Sequence, residues 1–210
     1  MAVSEHWKIK RETAEYYDRI ARVYDALYGD EQSLKIREIL KKISINVNDV
    51  MLDVGCGTGI LFKHIGVLGS MIVGVDISLG ALERAKRLIE KERLENAHLI
   101  RADADFLPFR DEVFDKVFAI TLIQNSPEPQ LTLREMMRVA KGSSEIIVTG
   151  LKKIYTRDVF MNVLMEAGLQ FSLLNVKEDV KCHISICNKS RELPAKSINN
   201  RAVQIVSEQV

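Results

Sequence analysis

Two hydrophobic periods alternate along this chain. Near-continuous apolar runs at residues 50–54, 71–75, 98–102, 114–120 and 145–149 have the length and pattern of strands buried on both faces of a parallel sheet. Between and after them, apolar residues recur three and four apart. Leu82, Ala85, Leu88 and Ile89 follow the second run, Leu133, Met136, Met137 and Ala140 the fourth, and Val159, Phe160, Val163 and Leu164 the fifth. These are helical stripes, and Gly168 stops the last of them, residues 157–167. Strands alternating with helices predict an α/β fold, a doubly wound, mostly parallel sheet with a crevice at its strand ends. Two further runs, 169–176 and 181–188, flank the polar turn Lys177, Glu178 and Asp179. They read as a C-terminal antiparallel hairpin at one sheet edge and bring the expected strand number to seven.

The segment ahead of the first strand is helical in pattern. Residues 4–28 carry Tyr17, Ile20, Ala21, Tyr24, Leu27 and Tyr28 on one stripe, and Gly29 is expected to end that helix. A second helix follows, with Leu34, Ile36, Ile39, Leu40 and Ile43 facing inward. The expected organisation is a helical cap over residues 1–45, a core over 46–189 and a polar surface tail over 190–210 with a short helix near 202–206.

Candidate chemistry concentrates at residues 50–59, VMLDVGCGTG, where Asp53 interrupts the first strand just before Gly55, Gly57 and Gly59. Glycines in such a turn permit positive φ, remove the Cβ atoms that would hold a ligand off the backbone, and let the next helix pack closely. A dinucleotide fingerprint requires its third glycine at position 60, where this chain has Ile60, so NAD and FAD are disfavoured. Residues 60–65 fit a short helix whose first N–H groups suit an anion. Asp76 closes the second strand and Ser78 is placed to cap the following helix. Asp76 lies seventeen residues beyond Gly59, close to the ~20 at which an acid accepts hydrogen bonds from two ribose hydroxyls.

Composition narrows the function classes. No apolar run approaches the ~20 residues of a membrane helix, and residues 1–12 lack the apolar core of a secretory signal. Thirty Lys and Arg against 29 Asp and Glu leave a net charge of +1, which excludes a molecule that binds nucleic acid through its overall charge. Three cysteines are present; Cys182 and Cys187 fall on opposite faces of one strand roughly 17 Å apart, and no pair has zinc-ligand spacing. A reducing cytoplasm is the expected compartment.

Residues 50–59 resemble the first motif of class I S-adenosylmethionine-dependent methyltransferases, whose cofactor carries an ammonium, a carboxylate and a sulfonium but no pyrophosphate. Two other segments strengthen the resemblance. YYDRIARVYDALYG, from residue 16, is similar to the opening of small methyltransferases of the ubiquinone and menaquinone biosynthesis group, in which such a segment folds over the bound cofactor. RADADFLPF, from residue 101, is similar to that family's Gly-Asp-Ala-x-x-Leu-Pro-Phe segment, with Ala102 standing where glycine is common. The resemblance spans residues 16–188 and implies a Rossmann-like methyltransferase fold.

It also implies a cofactor site. Its expected members are Tyr17, Tyr24, Asp53, Gly55, Cys56, Gly57, Gly59, Asp76, Ile77, Asp103, Ala104 and Thr121, holding S-adenosyl-L-methionine before reaction and S-adenosyl-L-homocysteine after it. Asp103 is expected to accept from the exocyclic amino group of adenine, with Ala104 giving a backbone contact, whereas Asp105 and Asp111 read as solvated turn acids. Asn125, Ser126 and Pro127 read as a turn opening the next helix, with the Gln124 or Asn125 amide in reach of substrate. The Asn-Pro-Pro-aromatic motif of amino-group methyltransferases is missing at Ile120 and Thr121, and His6, His98 and His183 have no motif context that nominates a catalytic base. The expected acceptor is a small molecule. RNA is the alternative, supported by Lys152, Lys153, Lys189, Arg191, Lys196 and Arg201; a non-catalytic cofactor-binding subunit is the other.

Overall fold

A computed structural model describes residues 3–189 of the chain. The tail at 190–210, including the helix expected at 202–206, lies outside the described residues. The apolar runs become strands β1 (Val50–Val54), β2 (Met71–Asp76), β3 (Ala97–Arg101), β4 (Phe114–Ala119), β5 (Ala140–Leu151), β6 (Leu169–Leu173) and β7 (Cys182–Lys189). The helices are α1 (Val3–Ile20), α2 (Tyr24–Leu40), α3 (Ile60–Ile65), α4 (Leu79–Glu92), α5 (Pro129–Val139) and α6 (Arg157–Ala167).

One seven-stranded sheet runs in the order β3-β2-β1-β4-β5-β7-β6. The first five strands are mutually parallel, while β7 pairs antiparallel with both β5 and β6. The chain leaves β1 toward β2 on one side and later returns to β4 on the other, so the order reverses at β1 and opens a crevice beyond its carboxyl end.

Alternation along each strand divides the core between the two faces. Leu52, Val54, Val73, Val75, Val117 and Val148 point to the side covered by α5 and α6. Met51, Ile72, Phe118 and Ile147 point to the side covered by α2, α3 and α4. Local chemistry sets the helix ends: the Ser78 hydroxyl accepts from Ala81 N–H at the start of α4, Thr156 does the same for Val159 at α6, and Gly168 at φ 92° closes α6.

The N-terminal helices depart from the expected pattern. The break falls at residues 21–23, and Gly29 sits inside α2 rather than ending a helix. An interior glycine costs a helix only about 1 kcal/mol relative to alanine, and tertiary contacts outweigh it. The bend lets Ala21 bury against the core and lets Asp25, in the first turn of α2, accept from the Thr58 hydroxyl at 2.5 Å. Leu27 and Val159, read as inward-facing, are exposed. Lys35, on the inward face of α2, is fully buried.

Packing is tight where α3 crosses the sheet. A Cβ added at Gly74 in β2 would stand 2.6 Å from Phe62 Cζ and 2.8 Å from Cys56 Sγ, contacts too short to survive without a shift. Gly74→Ala is expected to lower unfolding free energy by about 1–3 kcal/mol. Urea denaturation measures it, and an unchanged midpoint would show that this layer has room to spare.

Candidate active site

The strand-to-helix turn after β1 is built from left-handed backbone: φ is 72° at Gly55, 54° at Gly57 and 82° at Gly59. The N–H groups of Gly55 and Cys56 both donate to Val75 O, at 2.7 and 3.0 Å, which ties the turn to the end of β2. The glycines serve different ends. A Cβ at Gly57 would meet nothing within 4 Å, whereas one at Gly59 would approach Ala85 Cβ and Leu88 Cδ2 of α4 at 3.2 Å. Gly57 therefore faces open space and Gly59 faces a packed helix.

That open space is a cleft at the carboxyl ends of β1, β2 and β4, with about 900 Å³ of non-protein volume, part of it open to solvent. Nine of the twelve expected site residues line it: Tyr17, Tyr24, Gly55, Gly57, Asp76, Ile77, Asp103, Ala104 and Thr121. Asp53 and Cys56 line a smaller adjoining cavity that shares Tyr24, Gly55, Gly57, Thr58 and Ile120 with the main cleft. Gly59 lines neither.

The acids sit in unlike environments. Asp76 is pinned by backbone: Oδ2 accepts from Gly57 N–H and Oδ1 from Ser78 N–H, both at 2.8 Å. Burial raises its pKa, and those backbone bonds oppose the rise. Asp53 is pushed up to about 8 by burial and by the nearby Asp76 carboxylate. Cys56 is raised by burial as well, which leaves it an unreactive thiol.

Asp103 is met from an unexpected direction. Lys10 of α1 donates to Asp103 Oδ1 and Oδ2 at 2.9 and 2.7 Å and to Asp105 Oδ2 at 2.5 Å. Asp105, read as solvated, is only 3% exposed; it also accepts from the Thr132 hydroxyl of α5. Two neighbouring carboxylates held this close to the cleft need a shared cation, and Lys10 is it. Asp111, by contrast, is exposed and pairs with Arg138 at 2.8 Å.

A second polar cluster stands at the end of β4. Thr121 has φ 62°, a backbone region that disfavours a β-branched residue by on the order of 1–3 kcal/mol. Its N–H donates to Thr149 Oγ1 at 2.7 Å, and its carbonyl accepts from the side chains of Gln124 and Asn125. The buried ammonium of Lys35 donates to Thr121 Oγ1 at 2.6 Å and to Gln32 Oε1 at 3.2 Å, and it lies 3.3 Å from Glu31. Gln32 Nε2 in turn donates to the Tyr24 hydroxyl at 3.1 Å. Asn125, in a short 3-10 turn at Ile123–Asn125, donates to the Tyr17 hydroxyl at 3.0 Å. Burial raises the pKa of both tyrosines, so both are phenols rather than phenolates at neutral pH.

Lys10, Gln32, Lys35 and Asp105 were not singled out by sequence reasoning. The three N-terminal ones are polar residues on amphipathic helices, where the ordinary reading is a solvated face. Lys35 carried one signal, its position between Leu34 and Ile36 and one turn before Ile39 on an otherwise apolar face.

Chemically, the cleft offers carboxylates to hold hydroxyl and amino groups, a backbone turn open to close approach, and phenol and amide groups on its far wall. Among the described residues no histidine lines it, and no group of acidic, histidine or cysteine side chains forms a metal site.

Residues 52–148, from β1 to β5, match a methyltransferase domain family. The chain is 32% identical over 149 residues to a malonyl-[acyl-carrier protein] O-methyltransferase of Marinomonas, covering 69% of this chain and 53% of that one. It is 30% identical over 146 residues to a demethylmenaquinone methyltransferase of Staphylococcus haemolyticus, covering 66% and 60%. The chain thus spans about half the length of the curated relatives it matches. Its fold superimposes on a SAM-dependent methyltransferase of Aquifex aeolicus with a TM-score of 0.69, at 17% identity and 83% and 97% coverage. Its fold is that of the class I S-adenosylmethionine-dependent methyltransferases, and residues 52–148 are similar to their methyltransferase domain.

Proposed function

We propose that this protein transfers a methyl group from S-adenosylmethionine to a small-molecule acceptor bound in the same cleft. The observation that carries the reading is the convergence of Asp53, Asp76 and Asp103, from three adjacent strand ends, on one cavity system beside an open glycine turn. The residues fit the cofactor. Each Asp76 oxygen accepts one backbone bond and keeps a further lone pair for a ribose hydroxyl. Gly57 leaves room for close approach. Asp103 Oδ2 accepts only from Lys10 among the described residues, which leaves capacity for the adenine amino group, and Ala104 lies beside it in the wall. Asp53 is the partner for the ammonium, and residues 1–45 serve as a cap over the core at 46–189.

The bound cofactor supplies an activated methyl group on a sulfonium. What remains for the chain is to hold the acceptor atom in line at about 3–3.5 Å and to exclude water. Tyr17, Tyr24 and Asn125 close the cleft from the side of the N-terminal helices and the turn after β4. A small acceptor is favoured because, among the described residues, Lys10 is the one Lys or Arg that lines the cleft, and both Asp103 and Asp105 engage it. A polyanion would find no unpaired cation there. Of the cations considered for RNA, Lys152 and Lys153 are exposed outside the cleft, Lys189 pairs with Glu112 at 3.2 Å, and Arg191, Lys196 and Arg201 lie outside the described residues. Cys56, Cys182 and Cys187 are free and buried, which supports a reducing compartment such as the cytoplasm.

Calorimetric titration is the direct test. S-Adenosylmethionine and S-adenosylhomocysteine should bind in the micromolar range and NAD should not. Asp76→Ala and Asp103→Ala should each weaken binding roughly 10- to 100-fold, the worth of a hydrogen bond to a charged group. Preferential binding of NAD, or indifference to both substitutions, would remove the basis of the proposal.

Asp53 gives the apoprotein a pH signature. The folded protein keeps the Asp53 proton up to about pH 8, while an unfolded chain releases it near the ordinary 3.8. Between those values the folded state binds more protons, so stability falls as pH rises through the window and levels off above it. Asp53→Asn, which cannot ionise, should flatten that fall. Unfolding followed from pH 5 to 9 decides it, since parallel curves for the two proteins would mean that Asp53 is ionised throughout.

A further inference from the structure

The buried lysine of α2 has no part in the chemistry described so far, yet its hydrogen bonds lead to the cleft wall in a fixed sense. Gln32 Oε1 receives two donors, Lys35 Nζ and the Thr121 hydroxyl, each at 3.2 Å. An amide with two donors on one side cannot be reversed without setting its NH₂ group against them. Nε2 must therefore face the Tyr24 oxygen, which it does at 3.1 Å. With that lone pair occupied, the phenol is left as a donor, and among the described residues its proton has no protein acceptor.

Tyr24 borders both the main cleft and the smaller cavity, where Asp53 stands. Of the five residues shared by the two cavities, only Tyr24 and Thr58 carry a polar side-chain atom. The Thr58 hydroxyl spends its proton on Asp25 at 2.5 Å. Tyr24 is thus the one shared side chain with a proton to give. A ligand whose ammonium meets Asp53 carries its carboxylate on the same carbon, within a few ångströms of that junction. From this we infer that Lys35 and Gln32 are positioning residues, which fix the Tyr24 hydroxyl as the hydrogen-bond donor to the carboxylate of the cofactor's amino-acid end. The inference rests on the proposed cofactor site and adds to it a three-residue relay, Lys35 to Gln32 to Tyr24, running from the covered side of α2 to the ligand.

The relay accounts for a lysine that is otherwise costly. A buried ammonium is tolerated when it is paired and hydrogen-bonded, and Lys35 donates to Gln32 and Thr121 and lies 3.3 Å from the Glu31 carboxylate. The same ammonium steadies Thr121 in its left-handed backbone, so one charge holds both the phenol's orientation and the end of β4.

The test uses two ligands that share adenosine and sulfur but differ in the amino-acid end, S-adenosylhomocysteine and 5′-methylthioadenosine. Titrating both into wild type, Tyr24→Phe, Gln32→Met and the double variant should show S-adenosylhomocysteine weakened roughly tenfold or more in each single variant. The double variant should be no weaker than Tyr24→Phe, and 5′-methylthioadenosine affinity should be the same in all four. Lys35→Met should show the same selective loss; should it fail to fold, Gln32→Met carries the test. Equal weakening of both ligands, effects that multiply in the double variant, or an unchanged preference would overturn the relay while leaving the cofactor site standing. Wild type that binds neither ligand would instead overturn the proposed function, and the relay with it.

Discussion

Parallel strands side by side put their carboxyl ends at one edge, and here three of them bring an acid to that edge. Negative charge gathered in poorly hydrated surroundings is the constraint to which the rest of the site answers. Each acid is accommodated differently. Asp76 is satisfied by backbone N–H groups of Gly57 and Ser78, Asp103 shares Lys10 with Asp105, and Asp53 keeps its proton. Had all been held by lysines, the cleft would be a set of closed ion pairs with little to offer a ligand. Backbone donors and a retained proton leave lone pairs and a chargeable group facing the space.

This division of labour explains why elements far apart in the chain meet at one edge. Lys10 comes from α1, the cap of α4 is Ser78, and Thr132 from α5 supports Asp105. Asp18 of α1 accepts from both Ser78 Oγ and Gly80 N–H, at 2.6 and 2.8 Å, so the N-terminal helix is fastened to the residues that follow Asp76. Apart from Ala14, α1 contributes no described residue to the buried hydrophobic set, and Trp7 and Tyr16 are exposed. Polar ties to the rim of the cleft, rather than core burial, hold it in place, which is the character of an element able to move independently of the core.

Much of this was legible in the sequence because it depends on local pattern. The strands follow from short apolar runs, the hairpin of β6 and β7 from a polar turn between two such runs, and the α4 cap from a serine at the right offset. The glycine turn announced itself because only glycine tolerates three left-handed positions so close together. What escaped were pairings across long sequence separations. Asp105 looked solvated because it lies in the turn between β3 and β4, yet Lys10, ninety-five residues away, and Thr132 engage it. Gly29 looked like a helix end because glycine often is one, but the bend falls at residues 21–23, where it brings Asp25 to Thr58, a residue thirty-three positions away, which no local rule encodes.

The same reasoning separates the acid-bearing wall of the cleft from the wall opposite. Asp53, Asp76, Asp103 and the glycines fall at strand ends and in one turn, where backbone geometry demands particular residues and so leaves a readable motif. The opposite wall is assembled from Tyr17 on α1, Tyr24 on α2 and Asn125 in the turn after β4, side chains that any helix or turn could have carried. Their arrangement is governed by the bend between α1 and α2 and by the strained backbone at Thr121. Changes in the N-terminal helices can therefore reshape that wall while the acids and glycines beneath remain as they are. In this chain that freedom is restrained by Lys35, because it ties α2 to the end of β4 and so couples that wall to the sheet beneath the cleft.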